Sequence, residues 1–226
     1  MGICVFLDLP DVLTAEEVAR LRGLAASALF VDGRQSNPAS TVKNNLQINL
    51  ADPAHLEASR LMAEALHRNE AFRGFAMPRV QAPPMLAKYV PGMSYGLHSD
   101  AAILPLAGRP LRSDLSCTLF LTEPGAYDGG ELSIQLGDRP LAFKGVPGSA
   151  IVYPSHTLHE VKPVTSGERL VGLTFIESSV RDPMQRDLIH QLDEIAALEG
   201  LTMRWENRTR LQYVRNNLRR LWSEPL

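Results

Sequence analysis

Two polar side chains, His98 and Asp100, stand two residues apart in the run "YGLHSDAAILP", which is otherwise rich in small and apolar residues. If this run is a strand, residues i and i+2 point to the same face, so an imidazole and a carboxylate can converge on one point. Both side chains are common ligands of divalent metal ions. His-x-Asp is a short pattern, however, and alone it occurs more often by chance than in a metal site.

A third ligand should come from a distant strand, and the run "YPSHTLHEVKPV" supplies two candidates, His156 and His159. His159 is favoured because it opens a new β-type run, whereas His156 lies in the preceding loop. Two histidines and one carboxylate, with open positions beside them, are the arrangement of non-haem Fe(II) oxygenases. His98, Asp100 and His159 are therefore the predicted metal ligands. The other three histidines fall on predicted helices and are interpreted as surface or packing residues: His55, His67 and His190.

Such an iron needs a reductant beside it, and if this is 2-oxoglutarate, its far carboxylate needs a fixed cation. Arg169 stands at the opening of the apolar run "RLVGLTFIE", where a buried guanidinium would need an anion. The alternative is a surface arginine in the turn "TSGER".

The elements that must position these residues are short β-type runs between about Met85 and Glu177, punctuated by Pro and Gly with no helical pattern between them. This favours an antiparallel sandwich, jelly roll or barrel over a parallel α/β sheet. The run "YDGGEL" (127–132) is interpreted as a hairpin turn into a strand. The predicted strands are "LAKYV", "LSCTLFLT", "GELSIQL", "LAFKG", "SAIVYP", "HEVKPV" and "RLVGLTFIE".

Two helices are predicted before this region. Thr14 and Glu17 form a capping box ahead of "AEEVARLRGLAASAL", and Asp52 with Pro53 opens "PAHLEASRLMAEALHR". The predicted core positions of the two helices are Val18, Leu21, Leu24, Ala25, Leu56, Leu61 and Leu66.

Two more helices are predicted after Ser178, the first with Asp182 as N-cap and Gly200 at its end, the second from about Glu206 to Trp222. No repeat or linker is found, so the expectation is one β core at 1–180 with a helical extension at 181–226 packed on it. The predicted apolar faces are Leu188, Leu192, Ile195 and Ala196, then Leu211, Val214, Leu218 and Leu221.

Composition indicates a soluble globular protein: 45% of the residues are apolar, 21% are charged, and the net charge is −2. This balance gives no general attraction to nucleic acid or to an anionic membrane. The start lacks the features of a signal peptide, and no segment is long and apolar enough to span a membrane. Cys4 and Cys117 are interpreted as buried thiols in a reducing cytoplasm.

Several stretches together resemble the PKHD-type hydroxylases, which are bacterial Fe(II)/2-oxoglutarate dioxygenases similar to prolyl 4-hydroxylases. The resemblance extends from about residue 42 onward in the expected order and spacing. It rests on "YVPGMSYGLHSD", "RSDLSCTLFLTEPGAYDGGEL", "GSAIVYPSHTLHEVKPVTSGERLVG" and "IESSVRDPMQRDLIHQLDE".

This resemblance implies a double-stranded β-helix (jelly roll) that binds Fe(II) through the triad named above. It implies that Arg169 holds the 2-oxoglutarate carboxylate and that Tyr89 lines the co-substrate pocket. The implied reaction is hydroxylation of an unactivated C–H bond by O2, with release of succinate and CO2 and with ascorbate as an optional reductant. The substrate would be a prolyl peptide or a small iron-related molecule. His156 departs from the family pattern, which has a small hydroxyl residue there.

Two other classes of function stay open at this stage: a cupin-like protein that binds or senses iron without turnover, and a Zn(II) hydrolase. The dicarboxylate anchor Arg169 distinguishes the oxygenase from a mere metal binder. Two further groups of residues are candidates for the site, and each has an ordinary structural interpretation as well. Lys43, Asn44 and Asn45 are candidate substrate contacts or a solvated loop, and Arg112, Ser113 and Asp114 are a site rim or a turn. The arginine-rich last helix is interpreted as a solvated face, with a homodimer contact as the second option.

Overall fold

Two antiparallel sheets face each other in the computed structural model, which describes residues 6–224. Cys4 lies outside the described residues. The helices are α1 (Ala15–Ser27), α2 (Pro53–Arg68), α3 (Glu70–Ala76), α4 (Pro183–Glu199) and α5 (Trp205–Trp222). The strands are β1 (Leu7–Leu9), β2 (Phe30–Asp32), β3 (Lys43–Asn44), β4 (Leu46–Ile48), β5 (Pro78–Gln81), β6 (Met85–Tyr89), β7 (Ser94–His98), β8 (Ile103–Pro105), β9 (Pro110–Arg112), β10 (Leu115–Phe120), β11 (Tyr127–Gly129), β12 (Leu132–Leu136), β13 (Arg139–Phe143), β14 (Ala150–Pro154), β15 (His159–Val161), β16 (Val164–Gly167) and β17 (Arg169–Ser178).

The major sheet has eight strands in the order β1-β14-β10-β17-β6-β4-β2, with β5 also paired to β17. The minor sheet has the order β13-β12-β15-β7-β3, and two small ribbons, β8-β9 and β11-β16, complete the fold. Neighbours in the sheets are often distant in sequence, as β14 and β10 are. This is the predicted jelly roll, and the expectation of a mainly β core with flanking helices is confirmed.

Alternation along the major-sheet strands builds two separate cores. In β10, Leu115, Cys117 and Leu119 face the helices, while Phe120 faces the minor sheet. The helix-side core is tight: a Cβ on Gly172 of β17 would lie 2.3 Å from Met62 Sδ of α2. The inner core, between the sheets, contains aromatic and β-branched residues of both: Ala87, Tyr89, Phe120, Leu132, Ile134, Ile151, Tyr153, Val161, Val164 and Val171.

The N-terminal helices follow their sequence signals closely. Thr14 and Glu17 form both hydrogen bonds of the predicted capping box, and Asp52 caps α2, which begins at Pro53. The predicted core residues of α1 are all buried. In α2 the prediction for Leu56 is wrong, since this side chain is 73% exposed.

Other predictions need correction. Tyr127–Gly129 is itself a strand paired with β16, so "YDGGEL" is not a simple hairpin turn. The single strand predicted as "HEVKPV" is split into β15 and β16, because Pro163 has no N–H to donate to a sheet. Helix α3 and the short strands β1, β2, β3, β5, β8 and β9 have no counterpart among the predicted elements.

The C-terminal helices exist as predicted, but their predicted apolar faces are not buried. Leu188 and Ile195 are 47% and 44% exposed, and α4 instead buries Arg186, Ile189 and His190. A small core of Met77, Val180 and Ile189, with Leu218 and Trp222 packed against it, holds the pair to the jelly roll. None of the helices within residues 6–224 is long and apolar enough to span a bilayer.

Candidate active site

The predicted triad comes together in the structure. His98 ends β7, His159 begins β15, and the two residues lie opposite each other in the minor sheet. Asp100 follows two residues after His98, and its backbone N–H donates to Ser155 O at 3.1 Å. One ligand atom from each of the three side chains lies within 4.8 Å of the other two. The Nε2 atoms of His98 and His159 are 3.9 and 3.6 Å from the Asp100 carboxylate oxygens.

Backbone carbonyls fix the two imidazoles in one orientation. His98 Nδ1 lies 2.7 Å from Gly96 O, and His159 Nδ1 lies 2.9 Å from Thr157 O. A carbonyl can only accept, so each Nδ1 must carry the hydrogen and each Nε2 is left with its lone pair. This is the usual tautomer of a metal-binding histidine whose second nitrogen is held by an outer partner.

Buried hydroxyls hold the carboxylate. Ser116 Oγ donates to Asp100 Oδ2 at 2.5 Å and is also hydrogen-bonded to Ser155 Oγ at 2.7 Å. Ser116 is on β10 and Ser155 follows β14, so the major sheet orients a ligand that the minor sheet region supplies. Neither serine is among the candidates predicted from sequence; the available signal is Ser116, a polar residue at an inward position of a buried strand.

Burial also tunes the imidazoles and their neighbours. Burial lowers the pKa of His98, and the adjacent His159 lowers it further, which favours the neutral form that binds metal. Tyr153 packs edge-on against His159 with ring centroids 5.1 Å apart. Burial raises the pKa of Tyr153 well above its ordinary value, so this phenol stays neutral beside the site.

Arg169 opens β17 as predicted and is buried, with 1% of its surface exposed. It lies opposite Tyr89 in the β6-β17 pairing, and its guanidinium carbon is 5.0 Å from the centroid of the Tyr89 ring. Its Nε and Nη2 have no hydrogen-bond partner within residues 6–224. A buried guanidinium with unused donors is a strong binding site for a carboxylate.

The arginine is enclosed by groups that suit a carboxylate ligand. Burial raises the pKa of Tyr89 to about 12, so that phenol is neutral. Tyr127 is hydrogen-bonded to Arg169, which partly offsets the rise in the Tyr127 pKa caused by burial. Gly130 has φ +68°, and a Cβ there would lie 3.1 Å from Arg169 Cδ, so a glycine is needed beside the guanidinium. A side chain at this position would also press on Val164 and Tyr127, at 2.9 and 3.0 Å.

The remaining histidines and Cys117 lie outside the triad cluster. His156 is exposed in the turn between β14 and β15 and is not part of the triad cluster. His55 and His190 are buried packing residues, whereas His67 is exposed, in agreement with the interpretation from sequence. Cys117 is a buried free thiol, and burial raises its pKa to about 12.

The default interpretation of residues 43–45 as a solvated loop is wrong. Lys43 and Asn44 form β3 at the edge of the minor sheet, and Asn45 is 3% exposed at the point where the chain crosses to the major sheet. Asn44 is exposed and donates to Gly92 O at 3.1 Å. Lys43, by contrast, points toward Tyr95, beside the triad.

Arg112 and Asp114 form neither a site rim nor a simple turn but part of an ion network. The Arg112 guanidinium donates to both oxygens of Asp114, at 2.8 and 2.9 Å, and to Glu224 at 2.8 Å. Asp114 also accepts from the backbone N–H of Ser178 at 2.9 Å. The network therefore ties the C-terminal segment to the ends of β9 and β17.

Comparison with known proteins agrees with this geometry. The model of the 2OG-Fe(II) oxygenase superfamily matches residues 84–177, which contain the triad and Arg169. A PKHD-type hydroxylase of Sphingopyxis alaskensis is 54% identical over 214 residues, which cover 95% of this chain and 98% of the relative. The chain belongs to the PKHD-type hydroxylases. This hydroxylase is thus a 2-oxoglutarate-dependent non-haem iron dioxygenase, as its family and fold indicate.

Solved structures share the fold of the hydroxylase at low sequence identity. A Trichoplax adhaerens prolyl hydroxylase in complex with a hypoxia inducible factor peptide fragment has a TM-score of 0.58 at 16% identity, covering 76% of this chain and 83% of that one. The epimerase SnoN from nogalamycin biosynthesis has a TM-score of 0.56 at 14% identity, covering 78% of each chain. Since one fold serves both a hydroxylase and an epimerase, the fold does not identify the substrate.

Proposed function

We propose that the hydroxylase binds Fe(II) through His98, Asp100 and His159 and the distal carboxylate of 2-oxoglutarate through Arg169, and that it hydroxylates an unactivated C–H bond. The observation that carries the proposal is the buried Arg169, whose unused donors face the inner core that also encloses the triad. The chemistry of both donor sets fits the proposed groups: a 2-His-1-carboxylate face suits Fe(II), and a guanidinium suits a carboxylate.

Bound Fe(II) and 2-oxoglutarate would supply the oxidising chemistry, in which O2 is consumed, 2-oxoglutarate becomes succinate and CO2, and one oxygen atom enters the substrate. The protein itself orients the groups that would bind the metal. The carbonyls of Gly96 and Thr157 present both Nε2 atoms to one point, and Ser116 keeps Asp100 turned toward it. The buried apolar side chains of the inner core, including Tyr153 against His159, exclude water from that side of the reacting centre.

A non-catalytic iron-binding or iron-sensing cupin-like protein is the alternative from a different class. A metal binder of that kind gains nothing from Arg169, and burying an arginine without an anion costs stability. The third candidate, a Zn(II) hydrolase, has no use for a dicarboxylate anchor either. Neither alternative therefore accounts for the burial of Arg169.

The test is the visible absorption spectrum of anaerobic protein with Fe(II), before and after 2-oxoglutarate is added. We expect a charge-transfer band that requires 2-oxoglutarate and bleaches with succinate release when air enters. Arg169→Ala should weaken the band. Arg22→Ala is the matched control and should leave the band unchanged, because Arg22 is an exposed arginine. Fe(II) binding without the band at saturating 2-oxoglutarate would favour the metal-binding alternative, and oxygen-independent activity would favour hydrolysis.

The finer parts of the proposal concern substrate, reductant and location. We propose a prolyl residue of a peptide or protein as substrate, ascorbate as the reductant that restores Fe(II), and a cytoplasmic location where Fe(II) stays reduced. The resemblance to prolyl 4-hydroxylases supports the first two. Succinate release with proline-containing and proline-free peptides, each with and without ascorbate, tests both, and equal rates in all four reactions would exclude them.

A further inference from the structure

Lys43 belongs to a row of inward-facing side chains that ends at the triad. It lies opposite Tyr95 in the β3-β7 pairing, and directly paired residues point to the same face of a sheet. Tyr95 in turn stacks on His98, with ring centroids 3.6 Å apart and an interplanar angle of 14°. The β7-β15 pairing is irregular between these positions, which lets both rings share the inner face. The row therefore runs His159, His98, Tyr95, Lys43 across three adjacent strands.

The Lys43 side chain is half-buried, and its ammonium has few partners. Its Nζ lies 5.3 Å from the centroid of the Tyr95 ring and donates to Ser36 Oγ at 2.7 Å. It forms no ion pair with a carboxylate within residues 6–224, although an ammonium has three protons to donate. Burial lowers the pKa of Lys43, while the charges of Asp100 and Asp32 raise it, so the lysine is close enough to sense both. Asp32 is already ion-paired with Arg34.

Once Lys43 is counted, the charges of the loaded site balance only if another anion binds. Fe(II) with the carboxylate of Asp100 and two neutral imidazoles carries one positive charge. Doubly charged 2-oxoglutarate and the guanidinium of Arg169 together carry one negative charge, so these groups cancel. Lys43 is then left as a half-buried positive charge at the end of the row that leads to the triad, and removing a charge from water is favourable only beside a counter-charge.

We propose, on the basis of the function proposed above, that Lys43 anchors a carboxylate of the substrate. The substrate would be a molecule with a free carboxylate close to the hydroxylated carbon: a small organic acid or the C-terminal residue of a peptide. A prolyl residue inside a peptide would leave the ammonium unpaired, so the prolyl substrate proposed above is narrowed to a C-terminal prolyl residue. Asn37, which donates to the Tyr95 hydroxyl at 3.3 Å, helps to keep the stacked ring and the lysine in place.

Lys88 provides a matched control within the same chain. Its Nζ lies over the Phe30 ring, 4.3 Å from the centroid, and pairs with Glu168 at 3.5 Å. Lys88 alternates with Ala87 and Tyr89 on β6, so it points away from the inner core. It is thus a lysine over an aromatic ring without access to the proposed subsite.

The experiment is anaerobic calorimetry on protein loaded with Fe(II) and 2-oxoglutarate, with the charge-transfer band recorded for each sample. The probes are pentanoate against pentanamide, and N-acetyl-Gly-Ala-Pro against its C-terminal amide. We expect an acid to bind more tightly than its amide in the wild type, and Lys43→Met to weaken acid binding about tenfold or more. Lys43→Arg should retain acid binding, and Lys88→Met should behave as the wild type. Amide binding should be the same in Lys43→Met and in the wild type.

The outcomes separate the two proposals. A normal charge-transfer band in Lys43→Met would show that the triad and the 2-oxoglutarate site are intact, so that lost acid binding belongs to Lys43 itself. The acid that binds identifies the source of the carboxylate, a small molecule or a peptide terminus. If neither acid binds more tightly than its amide, or if Lys43→Met binds acids as the wild type does, the carboxylate subsite is overturned. Absence of the band in the wild type would instead overturn the proposed function.

Discussion

Two backbone carbonyls, rather than side chains, decide how the histidines are oriented. The carbonyls of Gly96 and Thr157 accept from the Nδ1 atoms, and both carbonyls lie two residues before the histidine that they orient. Each imidazole is thus oriented by its own strand end rather than by a distant partner. Because every residue type supplies a backbone carbonyl, these orienting contacts leave no signal in the sequence.

The choice between His159 and His156 gives the first prediction. His159→Ala should reduce Fe(II) affinity by more than the roughly 10–100-fold that loss of an outer-shell partner costs, because a direct ligand disappears. His156→Ala should leave affinity unchanged, since that side chain is exposed and outside the triad cluster. Anaerobic Fe(II) titration of both variants decides the matter. Equal losses in the two variants would contradict the assignment.

Arg169→Met should have opposite effects on the empty and the loaded protein. Methionine removes a buried cation whose Nε and Nη2 lack partners, so the empty protein should gain about 1–3 kcal/mol in free energy of unfolding. The same change should abolish the rise in Tm that 2-oxoglutarate gives the wild type. Thermal unfolding with and without 2-oxoglutarate measures both. A less stable empty variant would mean that the contacts of Arg169 with Tyr89 and Tyr127 outweigh the cost of burying the cation.

Spacing along the chain carries part of the information about the site. Strand periodicity singles out His98, Asp100 and His159, which the structure brings together, and the opening of an apolar strand singles out Arg169, which the structure buries. Ser116 and Ser155 acquire their contact with Asp100 from strands that are remote in sequence and adjacent only in the sheet order. A polar side chain in a buried strand indicates that some partner exists, but it does not identify the partner.

At the scale of elements, caps and proline positions predicted helix bounds well, whereas burial was predicted poorly for α4 and α5. The periodicity of α4 places Leu188 and Ile195 on one face, but the helix turns Ile189 and His190 toward the jelly roll. Which apolar face is buried depends on the neighbouring element, and here ionic contacts, including Arg215 with Asp193, compete with apolar packing. Periodicity predicts the faces of a helix and does not choose between them.

The network between β5, β17 and the C-terminal segment gives a prediction on stability. The Glu177 side chain is 5% exposed and accepts from Arg79, Arg109 and the Arg112 backbone N–H. Glu177→Gln should therefore lower the free energy of unfolding by about 1–3 kcal/mol. Glu57→Gln, which breaks an exposed pair with Arg20, is the control and should change little. Denaturant unfolding at neutral pH measures both variants.

The loss in Glu177→Gln should depend on pH in a definite direction. Burial raises the pKa of Glu177, but the Arg112 N–H and Arg109 outweigh it, so the pKa is lowered from its ordinary 4.5. A carboxylate with a depressed pKa stabilises fully above its unfolded value and loses the contribution as pH falls through the folded one. The difference between wild type and variant should be constant near neutral pH and shrink below about pH 4.5. A difference that grows on acidification would contradict the proposed role.

At the scale of the whole molecule, the two C-terminal helices present apolar surface that no part of residues 6–224 covers. The exposed side chains on α4 and α5 range from 44% to 76% exposed, and clusters of this kind usually mark contact surfaces. They are Met184, Leu188, Ile195, Leu198, Trp205, Tyr213, Val214 and Leu221. The jelly roll needs these helices only for its small outer core, so most of this apolar surface is available for a second copy of the chain.

We therefore expect the hydroxylase to be a homodimer that contacts its copy through α4 and α5. Light scattering coupled to size-exclusion chromatography should give twice the mass of the chain for the wild type. The double variant Ile195→Glu, Leu198→Glu should give the mass of one chain, because unpaired charges cannot be buried in a contact. Leu50→Glu is the control, since Leu50 is 55% exposed and remote in sequence from these helices. Retention of the 2-oxoglutarate-dependent absorption band in the monomeric variant would show that each chain holds a complete site. A wild-type monomer at tens of micromolar would exclude a stable dimer and leave the apolar face to a different partner.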